Sequence, residues 1–247
     1  MPKHKIKHDP KRGQFLVTTG PVEIGWSNLV TLDQKFANEK GGKWNIRVRL
    51  DPDDEGNQEL VTQMDAWVDE AVNKAIAANG AKAKKWQRKS LYEEECDKEG
   101  NETGFLVLKL TLDELGINKT EGKTWKNKPP ALFDSQGAPT ATNPFAGSIC
   151  RVTFTVDDPE TRFYGNANIG VGVARKLRAV QILKLAERGA ASAESYGFDD
   201  DVDDEYGDGF VEGGAGSVTG SRNPADHAQV DDDDDGDATD TDGNREF

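Results

Sequence analysis

Four places in the sequence set an aromatic ring among cations. Trp44 precedes Arg47 and Arg49, Trp86 stands amid Lys84, Lys85, Arg88 and Lys89, Trp125 lies between Lys123 and Lys126, and Phe163 and Tyr164 follow Arg162. The pairing has a definite chemistry: a cation neutralises a phosphate and a flat ring stacks on a base, which are the two needs of a bound single nucleic-acid strand. Each place also has a plainer use. Trp44 alternates with Ile46 and Val48, so it suits a core as well as a base, and Trp67 sits on the apolar stripe of a helix. Lysine and arginine clusters often serve only as solvated surface.

The catalytic alternatives are thin. No G-x-x-x-x-G-K-[ST], G-x-S-x-G or H-E-x-x-H occurs, and Gly170–Gly172 is only a fragment of a dinucleotide fingerprint. Two of the three histidines lie in the first eight residues and the third is His227, which leaves the body without an imidazole for acid–base work. Asp231, Asp233, Asp235, Gly236, Asp237 and Asp242 fall at calcium-loop positions, but the last ligand is Asp where such loops use Glu, and only five residues follow it where such loops need a helix. Cys96 and Cys150 lack metal-type spacing and suit a reduced, intracellular chain. No enzyme activity, cofactor, metal or membrane span is expected.

The elements that must position the rings follow from periodicity. "KWNIRVRL" alternates, with Trp44, Ile46, Val48 and Leu50 on one face and Asn45, Arg47 and Arg49 on the other, so it reads as a strand with a basic outer face. "SICRVTFTV" alternates likewise and turns Arg151 outward, and "GFLVLKLTL" is a strand carrying Lys109. Residues 14–32 read as short strands with turns, and Ala131–Phe133 as another before a turn at Ser135–Gly137. Leu60, Met64, Trp67, Val68, Ala71, Val72, Ala75 and Ile76 recur at helical spacing, with Asp54 or Asn57 to cap the start and Asn79-Gly80 to stop it. "ARKLRAVQILKLAERG" fits a helix or a last strand equally. The economical architecture is mainly β, a small closed barrel of five or more strands capped by one long inserted helix, and the OB-fold, a five-stranded Greek-key barrel, is the commonest member of that class in nucleic-acid work.

The net charge of -14 is unevenly spread. Residues 199–247 hold 18 of the 45 acids and only Arg222 and Arg245 of the 31 bases, a net of -16, which leaves residues 1–198 at +2. The acidic stretch is too poor in apolar residues to offset the entropy of ordering. The expected organisation is a barrel domain over 1–190 and a disordered acidic tail over 191–247, ending in Phe247.

Several stretches together resemble the replicative single-stranded DNA-binding proteins of T-seven-type phages: "GGKWNIRVRLDP" with the "MDAWVDEAVNKAI" helix after it, "ALFDSQGAP", "FAGSICRVTFTV", "NIGVGVARKLRAVQILKLA", and the Asp-rich end with its terminal Phe. The resemblance implies an OB-fold, a homodimer, and single-stranded DNA held by stacking and phosphate contacts during replication, recombination and repair, with strand annealing. It favours a strand over residues 176–186. By position it points to Trp44, to Lys109 and to Phe163-Tyr164; Gly41-Gly42 stand where a basic residue belongs, with Lys40 or Lys43 as replacements, and 134–147 is unusually Pro-rich. The DNA-binding candidates are thus Trp44, Arg47, Arg49, Lys85, Trp86, Arg88, Lys109, Arg151, Phe163 and Tyr164. The resemblance also implies that the tail docks a phage DNA polymerase and helicase–primase in the cytoplasm of an infected bacterium. There Asp231, Asp232, Asp233, Asp234 and Asp235 would imitate a nucleic-acid strand and Phe247 would fill an apolar pocket. The competing class is an acidic-tailed chaperone or interaction protein that binds basic proteins and not DNA.

Overall fold

The computed structural model describes residues 4–118 and 122–186. The acidic stretch, with Asp231–Asp235 and Phe247, lies outside the described residues. From the N-terminus, β1 (Lys5–Asp9) and β2 (Gln14–Thr18) form a hairpin, and β3 (Val22–Asn38) and β4 (Gly41–Leu50) form a longer one. Helix α1 (Glu55–Asn79) follows, with a 3-10 turn at Gly80–Lys85. After it come β5 (Glu93–Cys96), β6 (Glu102–Asp113), β7 (Leu115–Asn118), β8 (Lys123–Lys126), β9 (Ala131–Phe133), β10 (Ile149–Asp157), β11 (Tyr164–Asn166), β12 (Gly170–Gly172) and β13 (Arg175–Lys184).

Five strands curl into the barrel. β3 pairs with β4, β4 with β6, β13 with β10, and β10 with β3, all antiparallel. The ring comes round between β6 and β13, where Arg175 Nε donates to the Lys109 carbonyl at 2.8 Å, and no ladder joins these two strands among the described residues. Counted in chain order, the barrel strands run first, second, third, fifth, fourth and back to the first. This is the Greek-key order of the OB-fold, open at one seam. β1 and β2 extend the sheet beyond β10, β5 lies along the outer edge of β6, and β7–β8 and β11–β12 are separate hairpins.

The apolar alternation written in the sequence is borne out in the burial, with Asn45 and Thr155 on the opposite faces buried as well. On β4 Trp44, Ile46, Val48 and Leu50 are buried and Arg47 is exposed, and on β10 Cys150, Val152, Phe154 and Val156 are buried. Helix α1 packs Leu60, Met64, Trp67, Val68, Ala71 and Ala75 into the same core. Of its two candidate caps, Asp54 accepts the Asn57 amide at 3.0 Å, and Gly80, at φ 64°, ends the helix with its N–H on the Ile76 carbonyl. A left-handed residue at this place favours glycine.

The ambiguous last segment is a strand. Leu177, Val180 and Ile182 are buried, a spacing of three and then two, because a bulge sets Leu177 and Ala179 against the adjacent residues Phe154 and Thr153 and leaves Arg178 as an extra residue. One inserted residue turns a two-residue period into something that reads like a helix. No helix among the described residues is long and apolar enough to cross a membrane, and no group of three metal-ligating side chains occurs among them.

Candidate nucleic-acid interface

The β4–β6 ladder sets Arg47 directly opposite Lys109 on the outer face of the barrel, and Asn45 opposite Thr111. Two cations facing each other across a ladder are destabilising. Arg47 is exposed and makes no ion pair within 4 Å among the described residues, whereas Lys109 is held by Glu93 of β5. Beside them stands Trp26 of β3, 52% exposed. A Cβ on Gly25 would lie 3.4 Å from the Arg47 Cβ, so Arg47 packs against the residue that precedes Trp26. Trp26, Lys43, Arg47, Lys109 and Thr111 line one continuous hollow.

Thr111 also lines a neighbouring trough of about 430 Å³, at the open seam, with Lys40, Trp125, Arg175, Lys176 and Arg178. Lys176 and the bulged Arg178 make no ion pair within 4 Å among the described residues and are exposed; Lys40 pairs with Asp113 at 3.3 Å. Arg175 is half-buried, and desolvation draws its pKa down against the opposing influence of Tyr164 and Glu93. An arginine still carries its charge under such a shift. The two adjoining hollows thus hold one exposed ring each and more cations than acids, Asp33 and Asp113 being the acids among their lining, which suits phosphates and bases.

The other candidates divide. Tyr164 is half-buried, with its ring over Gly172, and borders this face through Arg175. Trp44 is corrected as a stacking ring: it is only 5% exposed and belongs to the core. Arg49 is engaged within the protein. Its guanidinium bonds Glu95 at 2.8 and 3.1 Å, pairs with Glu23, and covers the Phe105 ring at 4.2 Å. Arg88 is engaged by Asp65 at 2.7 Å and Asp69 at 2.8 Å on α1. Trp86 and Phe163 are partly buried against the core, Trp86 lying on Gly165. Lys85 is exposed on the turn after α1 and lines neither part of the face. Arg151 projects from β10 into a separate hollow with Thr18, Thr153 and Gln181.

Trp26 was not legible as a site residue. No cation is near it in the sequence, and strand pairing alone brings Arg47 to it.

No family model matches the chain, and no curated protein does. Among solved structures, the chain is similar to the crystal structure of gp2.5, a single-stranded DNA-binding protein encoded by bacteriophage T7, at 18% identity and a TM-score of 0.51, over 72% of this chain and 96% of that one. It is also similar to the single-stranded DNA-binding protein from bacteriophage Enc34. The C-terminal truncation of that protein gives 10% identity and a TM-score of 0.46, over 76% of this chain and 98% of that one. Its complex with single-stranded DNA gives 11% and 0.44, over 71% and 93%. The first likeness establishes a shared fold.

Proposed function

We propose that this chain binds single-stranded DNA along the outer face of β4 and β6 and across the open seam. The observation that carries the reading is the Arg47–Lys109 pair, two cations set opposite each other beside an exposed tryptophan, an arrangement that opposes folding and suits a polyanion with flat bases. The face of the second and third barrel strands is where OB-folds take oligonucleotides, and the fold is that of a phage protein which binds single-stranded DNA. The cationic rim and Trp26 describe a binding surface.

On this reading the chain is a phage protein acting in the bacterial cytoplasm as a homodimer that coats single strands in replication, recombination and repair. Annealing of complementary strands and recruitment of polymerase and helicase–primase by the acidic stretch and Phe247 belong to the same proposal. The test is an oligothymidine titration at several salt concentrations with the wild type and Arg47→Ala. Removing one phosphate-binding cation should flatten the plot of log affinity against log salt by about 0.7. No binding by the wild type, with binding of basic proteins instead, would replace this reading with the acidic-tailed interaction protein.

A further inference from the structure

Trp125 is exposed over half its surface and is nevertheless held in place. In the β7–β8 hairpin it is the cross-strand partner of Gly116, and a Cβ on that glycine would meet the indole at 2.1 to 2.4 Å. One side of the ring system therefore lies against bare backbone, where any side chain would displace it. The indole Nε1 donates to Asn127 Oδ1 at 3.1 Å. Asn127 is itself fixed, since its Nδ2 donates to the Asp113 carbonyl at 2.8 Å and its amide to the Glu114 carbonyl at 2.7 Å. The remaining surface of the ring lines the seam trough, beside Lys176 and Arg178. Nearby Lys126 is engaged by Glu114 at 3.2 Å, so the ring and those two cations, not Lys126, are what the trough offers.

A ring oriented in advance loses little freedom when a ligand arrives, which is the physical content of preorganisation. We infer that Trp125, seated on Gly116 and aimed by Asn127, is a preformed stacking platform for one base of a bound strand. It marks the place where the strand leaves β4–β6 and crosses the seam to the β7–β8 hairpin. The inference rests on the single-stranded DNA reading and adds a residue, a positioning glycine and a direction to it.

The test uses the full chain with two ligands, an oligothymidine and a base-free deoxyribose-phosphate strand of the same length. Trp125→Ala should weaken oligothymidine binding about 5- to 150-fold, the range for removal of one base–aromatic stack. On the base-free strand the same change should cost less than about twofold, because the phosphate-binding cations are untouched. Gly116→Ala keeps the indole but lifts it from its seat, so it should lower affinity in the same direction, again only on the strand with bases. Trp125→Phe should restore part of the affinity. Circular dichroism of each variant confirms the fold; if Trp125→Ala does not fold, Gly116→Ala and Trp125→Phe carry the comparison. Equal weakening on both strands, or no weakening on oligothymidine by these variants while the wild type binds it, would overturn the platform and leave the parent reading standing. Failure of the wild type to bind either strand would remove the parent reading and the platform with it.

Discussion

Glu93 is the residue whose replacement should strengthen binding. Its carboxylate holds the Lys109 ammonium, and the two side chains are 60% and 42% exposed. A phosphate that takes Lys109 must first displace Glu93, so DNA binding competes with an ion pair inside the protein. Exposed pairs of this kind contribute about 0.2–1 kcal/mol, which converts to a gain of about 1.4- to 5-fold in affinity when the competitor is removed by Glu93→Gln. Part of any gain would come simply from one less negative charge near the DNA. Glu94→Gln supplies that control: the same charge is removed one residue along β5, where a strand turns its side chain to the opposite face. The excess of Glu93→Gln over Glu94→Gln is then the contribution of the pair. It should shrink as salt rises, since screening weakens exposed charge interactions, and it should disappear when Lys109 is already Ala. Fluorescence anisotropy with a labelled oligothymidine at low and physiological salt measures all six proteins, the wild type and the two glutamine variants with and without Lys109→Ala. Equal effects of the two glutamine variants at low salt would show that Glu93 does not stand in for a phosphate and would refute the competition between them.

Three further outcomes follow from burial and pairing. Trp26→Ala should leave the melting temperature nearly unchanged and cost about 1–3 kcal/mol of DNA binding, whereas Trp44→Ala should cost about 3–5 kcal/mol of stability; thermal melts beside titrations separate them, and a destabilised Trp26→Ala would count against its placement. Burial pushes the Glu95 carboxyl up, but the hydrogen bonds from Arg49 and Thr103 outweigh burial and hold it below the usual carboxylate range. Its stabilising contribution is therefore complete above the unfolded value near pH 4.3 and is lost as pH falls through the lower folded value; Arg49→Ala should flatten that acid limb in urea melts, and an unchanged limb would dissociate Glu95 from it. Cys96 is exposed, while burial pushes the Cys150 thiol up to about 12, so a thiol reagent should label one cysteine in the native protein and two after unfolding; rapid double labelling at neutral pH would contradict the burial of β10.

The barrel was legible because its inner strands are binary. In 43–50 and 150–156 each second residue is apolar, and α1 repeats its apolar residues at helical spacing between Asp54 and Gly80. The strands that sequence reasoning passed over are polar or lie at edges. β1 is "KIKHD", β5 is "EEEC" and β8 is "KTWK", and nearly all of their residues are exposed. Charged, short edge strands resist pairing with other chains, and the same property strips them of the alternation by which strands are recognised. β5 is the costly omission, since Glu93 and Glu95 decide which of the cations on the neighbouring strands are engaged.

The site was half legible for a reason of parity. A strand sends residues an odd number of positions apart to opposite faces, so Trp44, three residues from Arg47 and five from Arg49, cannot share their side while β4 remains regular. Nearness in sequence between a ring and a cation is thus evidence against their meeting when the spacing is odd. The true companion of Arg47 comes from the ladder: Lys109 is opposite it on β6, and Trp26 of β3 lines the same hollow. Trp125 shows the same rule from the other side, because its seat, Gly116, is fixed by hairpin register. Alternation says which side chains face outward; pairing register says which of them meet. The outward residues Arg47 and Lys109 could be named from sequence on the first ground, and their juxtaposition, on which the binding face depends, belongs wholly to the second.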